Sequence, residues 1–162
     1  MTPPDYVLDV FLQPGDFYFG DSETRIRTLL GSCVAITVWH PHYLMGGMCH
    51  YLLPEYRQLN NDSSNQDGRY ADEALELFMQ EIRRTGTHPS EYMVKMIGGG
   101  NQFSGHNSNG KQSVPEKNIQ IGKKLLSQHG FNLTSCHLGG NGHRNVIFDL
   151  WSGDVWVQHV NG

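Results

Sequence analysis

The chain has 162 residues, 38% of them hydrophobic and 17% charged, with a net charge of −4. This is enough for one domain with its own core, and it is not the composition of a disordered chain. The acidic balance and the lack of a basic run argue against nucleic acid as a partner. No apolar stretch approaches the roughly 20 residues of a membrane span, and Met1-Thr2-Pro3-Pro4-Asp5 lacks the regions of a signal peptide. An odd number of cysteines, three, fits a reducing compartment, so a cytoplasmic location is expected.

In chain order, Tyr6–Leu12 and Asp16–Gly20 read as strands, short and rich in β-branched or aromatic residues, bounded by Pro14-Gly15 and Gly20. Two further strands come from a pair of motifs. Thr28-Leu29-Leu30-Gly31-Ser32-Cys33 leads into Val34–Trp39, and Gly46-Gly47-Met48-Cys49-His50 leads into Tyr51-Leu52-Leu53-Pro54. The polar connection Trp39–Tyr43 joins them as a hairpin. Glu55–Gly68 is a long polar loop, and loops of that length in small domains are mobile or functional. Tyr70–Arg84 is the clearest helix, with Ala71, Ala74, Leu75, Phe78 and Ile82 on one face and Gly86 placed to end it. Tyr92–Ile97 reads as a strand running into Gly98-Gly99-Gly100, and Gln102–Gln112 as a flexible loop. Ser113-Val114-Pro115-Glu116 has capping-box spacing; the helix it opens should bury Ile119, Gly122, Leu125 and Leu126 and end at Gly130. Strands follow at Leu133–Leu138, Asn145–Leu150 and Asp154–Gln158, the last two joined by a Ser152-Gly153 hairpin turn. Strands in runs with two inserted helices indicate a single α/β domain of α+β type over residues 1–162. It should have largely antiparallel sheets in a layered sandwich and both helices packed outside.

The chemistry concentrates at Cys33 and His50. A free cysteine is most often a small buried apolar group. Here, however, a Gly-Ser turn precedes it and lets backbone N–H groups point into one space, as an oxyanion hole requires. Histidine is the usual base for a cysteine nucleophile, and the hairpin brings the two segments together. By alternation Cys49 faces away from His50 and is a packing residue, and Cys136 reads as structural. A zinc site could draw on Cys33, His40, His42, Cys49, His50, Cys136 or His137. No recognised ligand spacing is present, so no metal and no cofactor are expected. Gly98-Gly99-Gly100 lacks the pattern of a phosphate loop and reads as close packing or a pocket wall. Gly139-Gly140-Asn141-Gly142 reads as a positive-φ turn.

Taken together, Thr28-Leu-Leu-Gly-Ser-Cys33-Val-Ala, Gly47-Met-Cys-His50-Tyr-Leu-Leu-Pro54, Lys95-Met-Ile-Gly-Gly-Gly-Asn101, Asn118-Ile and Gly139-Gly-Asn-Gly-His-Arg144 resemble the CheD family of chemoreceptor glutamine deamidases. The resemblance runs from about Leu12 to Val157. It implies a cysteine–histidine–threonine deamidase acting on the cytoplasmic domain of methyl-accepting chemotaxis receptors, similar in site layout to the cytotoxic necrotizing factor toxins. Cys33 would be the nucleophile, His50 the base and Thr28 the third member, with a backbone carbonyl as the other group able to orient His50. Arg27, next to Thr28 and on the opposite face, would be free to contact an acidic receptor surface. The family also implies a second role, binding and stimulating the CheY-phosphate phosphatase CheC. The long loops Glu55–Gly68 and Gln102–Gln112 would rim an open substrate cleft.

Overall fold

The computed structural model describes residues 2–55, 67–102 and 112–161, so the two expected loops fall almost wholly outside the described residues. Within them the chain runs β1 (Leu8–Leu12), β2 (Phe17–Gly20), β3 (Thr24–Leu30), β4 (Val34–His40), β5 (Met45–Tyr51), α1 (Ala71–Thr85), β6 (Met93–Gly98), α2 (Val114–Gln128), β7 (Leu133–Leu138), β8 (His143–Asp149) and β9 (Val155–Val160). The strands form a four-stranded sheet in the order β1-β3-β8-β9 and a five-stranded sheet in the order β2-β5-β4-β6-β7.

Side-chain alternation explains the layering. Thr24, Ile26, Thr28 and Leu30 of β3 turn inward, while Arg25, Arg27 and Leu29 turn outward. Ile26, Leu30, Val146 and Phe148 of the four-stranded sheet pack on Ala35, Met48 and Ile97 of the five-stranded one. The opposite face of the five-stranded sheet, through Val34, Ile36, Val38, Cys49 and Tyr51, packs on Ala74, Leu75, Phe78 and Ile82 of α1 and Leu126 of α2. Central strand β4, covered on both faces, therefore reads as an almost unbroken apolar run. The result is a three-layer sandwich of sheet, sheet and helices, with both helices on one side.

Five of the seven strand pairings among the described residues are antiparallel. The pairs β1–β3 and β6–β7 are parallel. Each parallel pair is spanned by an element outside its own sheet, β2 in the first case and α2 in the second, as a crossover requires.

The apolar face read for α1 is buried throughout, and Gly86 closes the helix at φ 74°. Helix α2 opens with Ser113 accepting from the Glu116 amide. Its burial differs from expectation: Gly122 and Leu126 are buried, but Ile119 and Leu125 are only half-buried, and Asn118 is fully buried. Asn118 Nδ2 donates to the Leu52 carbonyl at 3.0 Å, while its Oδ1 has no partner among the described residues; the Asn118 backbone carbonyl accepts from Tyr51 Oη at 2.6 Å. The β8–β9 connection is longer than a Ser152-Gly153 two-residue turn, closing where the Gly153 amide donates to the Asp149 carbonyl at 2.8 Å. The Thr28–Cys33 segment is also not the lead of a single strand. Its first half ends β3 in one sheet, and Gly31-Ser32-Cys33 crosses to start β4 in the other.

Candidate active site

The crossing brings groups from both sheets to one place. Thr28 lies on the inward face of β3, and its Oγ1 stands 2.7 Å from His50 Nδ1. The same hydroxyl donates to the Leu12 carbonyl at 2.9 Å. With its one proton committed there, Thr28 can only accept from His50, which puts the imidazole proton on Nδ1 and leaves the Nε2 lone pair free. His50 Nε2 is buried and has no partner among the described residues. The side chain in contact with His50 Nδ1 is thus Thr28, with the Leu12 carbonyl one step behind it.

Cys33 shares the face with His50. In the β4–β5 register Ala35 stands opposite His50. Cys33 lies two residues before Ala35 and packs with it against the inter-sheet core. Cys33 and His50 are therefore placed on the same inter-sheet side of neighbouring strands, close to the diagonal positions of a cross-strand pair. Cys49 faces the helices, where burial pushes its thiol up to about 12, and plays a packing role. Cys136 is exposed on β7, at the edge of the sheet, so its reading as a structural residue is not what the fold displays. Arg27 points outward, pairs with Asp9 at 2.7 Å and covers the Phe11 ring.

Burial governs the protonation of the pair. It pulls the His50 imidazole down to about 4, against a smaller opposing pull from the Asp16 carboxylate. It pushes the Cys33 thiol up, partly opposed by a hydrogen bond with Ser32. Burial thus favours the neutral thiol and the neutral imidazole.

The turn carrying Cys33 is held by its neighbours. The Gly99 amide donates to the Cys33 carbonyl at 2.9 Å and the Gly100 amide to the Gly31 carbonyl at 3.1 Å. Gly98 and Gly99 have φ of 122° and 68°, and a Cβ on Gly98 would run into the Cys33 carbonyl. This is the close packing expected of the triple glycine. Among the described residues no backbone acceptor takes the Ser32 and Cys33 amides, which leaves two donors in the turn that carries Cys33. Beside Ser32 opens a cavity of about 410 Å³, whose lining among the described residues includes Asn101, Gln102, Gln112 and Ser113.

The reading of the sequence passed over the turn after β1. Leu12 supplies the carbonyl that fixes Thr28, the Gly15 amide donates to the His50 carbonyl at 2.8 Å, and Asp16 sits close enough to bias the imidazole. Pro14-Gly15 marked that turn as a strand boundary but carried no sign of what it would touch.

A profile of the family described as CheD chemotactic sensory transduction matches residues 52–159. A protein of Dechloromonas aromatica (strain RCB), named probable chemoreceptor glutamine deamidase CheD 3, is 47% identical over 160 residues, covering 98% of this chain and 92% of that protein. The probable chemoreceptor glutamine deamidase CheD of Pseudomonas savastanoi pv. phaseolicola (strain 1448A / Race 6) is 46% identical, covering 98% and 89%. A third relative, from Leptospira interrogans serogroup Icterohaemorrhagiae serovar copenhageni (strain Fiocruz L1-130) and named probable chemoreceptor glutamine deamidase CheD 1, is 38% identical, covering 96% and 95%. The profile begins just past His50, whereas the alignments covering 98% of the chain span Thr28, Cys33 and His50 as well. With well over half the chain matched by the profile and near-complete relatives at this identity, the chain belongs to the CheD family.

Proposed function

We propose that this protein hydrolyses glutamine side-chain amides to glutamate on the cytoplasmic part of methyl-accepting chemotaxis receptors, with Cys33 as nucleophile, His50 as base and Thr28 as the group that orients the base. The observation that carries the reading is the Thr28–His50 contact, which leaves a buried, unpartnered Nε2 on the face that Cys33 shares. A carboxamide is a poor electrophile, so the site must both activate the thiol and stabilise the oxyanion. His50 Nε2 takes the Cys33 proton as sulfur attacks the amide carbon. The charge that develops on oxygen meets the Ser32 and Cys33 amides, each such donor being worth about 3 kcal/mol of barrier. Imidazolium His50 gives its proton to the departing nitrogen, which leaves as ammonia. His50 then takes a proton from water, the hydroxide attacks the thioester, and glutamate and the thiol are released.

The amide and hydroxyl side chains that line the cavity beside Ser32 among the described residues suit a carboxamide substrate. The proposed substrate places the protein in the cytoplasm. The test is incubation with a receptor cytoplasmic fragment and mass spectrometry, where each conversion adds about one dalton. Conversion should vanish in folded Cys33→Ala. Wild-type turnover in that variant would remove Cys33 from the mechanism. The second role implied by the family, stimulation of CheC, needs no thiol, so the same variant assayed with CheC separates the two activities.

A further inference from the structure

A buried charge without a counter-charge is costly, so what it holds in place is informative. Arg144, on the inward face of β8, is 1% exposed and is the largest fully buried side chain among the described residues. No carboxylate among those residues pairs with it. Its guanidinium is shared instead among three neutral acceptors. Nε donates to His137 Nδ1 at 2.8 Å, Nη2 to the Gly139 carbonyl at 2.6 Å, and Nη1 to the Gly98 carbonyl at 3.4 Å. His137, accepting at Nδ1, must be neutral with its proton on Nε2. Burial first, then Arg144 and His159, hold its pKa down accordingly.

The third acceptor leads to the site. The Gly98 carbonyl also accepts from the Gly139 amide at 2.9 Å, so both ends of that clamp depend on the segment that Arg144 organises. The peptide beyond this carbonyl carries the Gly99 amide, which grips the Cys33 carbonyl, and the next amide grips the Gly31 carbonyl. The Gly31 carbonyl belongs to the same peptide group as the Ser32 N–H. The guanidinium is therefore tied, through the Gly98 carbonyl, to a strap whose next two amides hold the carbonyls on either side of the Ser32 and Cys33 amides.

We propose that Arg144 is a positioning residue for the oxyanion-binding turn. Its guanidinium fixes the Gly98–Gly100 strap so that the Ser32 and Cys33 amides converge on the point where the acyl oxygen takes up negative charge. The inference rests on the reading of Cys33 as nucleophile. The fork geometry matters as well as the charge, since a lysine ammonium is a single point on a flexible stem and does not reproduce three divergent bonds.

Two reactions of the Cys33 thiol separate this role from general support of the fold. With p-nitrophenyl acetate, sulfur attacks the carbonyl carbon, His50 takes the thiol proton, charge passes through the acyl oxygen, and p-nitrophenolate leaves with the bonding pair. With iodoacetamide, sulfur displaces iodide at a saturated carbon and no oxyanion forms. Arg144→Gln should slow acylation about 100-fold while alkylation stays within about threefold of wild type, and Arg144→Lys should fall between. On the receptor fragment kcat should drop by a similar factor, with KM within about threefold. Cys33→Ser supplies the blank for all three assays, and circular dichroism checks folding; if the Gln variant does not fold, the Lys variant carries the test under the same criteria. An unchanged ratio of acylation to alkylation in the folded variant would overturn the proposal, as would an equal fall in both rates. If acylation depends on Arg144 but the wild-type protein converts no receptor glutamine, the inference stands and the proposed substrate falls.

Discussion

At the scale of single residues, the decisive fact is the direction of one hydroxyl proton. Thr28 Oγ1 donates to Leu12 and accepts from His50, and this fixes the tautomer of an imidazole whose other nitrogen is buried without a partner among the described residues. Thr28→Val keeps the shape and removes both bonds. It should lower kcat on the receptor fragment about 100-fold, and it should cost about 1–3 kcal/mol in urea unfolding because the Leu12 carbonyl is left buried and unpaired. Thr28→Ser should restore most of both. A Val variant with wild-type kcat would show that His50 is oriented by something else. Gly-Ser before Cys33 and the strand-end His50 are local signals that single out those two residues, whereas Thr28 comes from the family resemblance alone. The sequence did not disclose the Thr28–His50 contact, because that contact crosses between sheets and alternation within one strand says nothing about what lies opposite. The turn after β1 was illegible for the same reason: its contribution is made by a backbone carbonyl and an amide, which have no residue signature.

At the scale of elements, the glycines of the strap differ from the glycines that end helices. Gly86 and Gly98 both have positive φ, but nothing lies within 4 Å of a Cβ on Gly86, whereas one on Gly98 meets the carbonyl of the nucleophile. Gly86→Ala should therefore cost about 1 kcal/mol of stability and leave deamidation unchanged. Gly98→Ala should carry the same strain and in addition reduce kcat at least about tenfold by displacing the Cys33 turn. Thermal melts and receptor-fragment assays of the two variants side by side decide this, and equal activity in both would remove the strap from catalysis. The α1 face was readable because helical periodicity is local and its apolar residues are unambiguous. In β3 the buried set includes Thr24 and Thr28 beside the outward Arg25 and Arg27, so polarity does not mark which side is inside and the strand did not emerge as a unit. Asn118 was missed on α2 because its burial depends on Leu52 and Tyr51, partners far away in sequence.

At the scale of the whole molecule, the buried His50 imidazole makes stability depend on pH in a defined window. His50 titrates at about 4 in the folded chain, against about 6.5 when unfolded. Between those values the unfolded state binds more protons, so stability is full above about pH 6.5 and falls as pH drops toward 4, by about 3 kcal/mol from His50. His137, also depressed, acts in the same direction. Urea unfolding from pH 7 to pH 4 should show this decline, and His50→Gln should flatten much of it; an unchanged slope in that variant would place the effect elsewhere. The chain path has a different consequence, which concerns synthesis. The thiol and imidazole are encoded by residue 50, but Thr28 lies in a strand paired with β8, and Val146 and Phe148 of β8 supply part of the core between the sheets. A nascent chain therefore carries its nucleophile and base through most of translation without the partner strand that seats the residue orienting them. The order of the strands thus ties the seating of Thr28 beside His50 to a strand made long after the residues it serves.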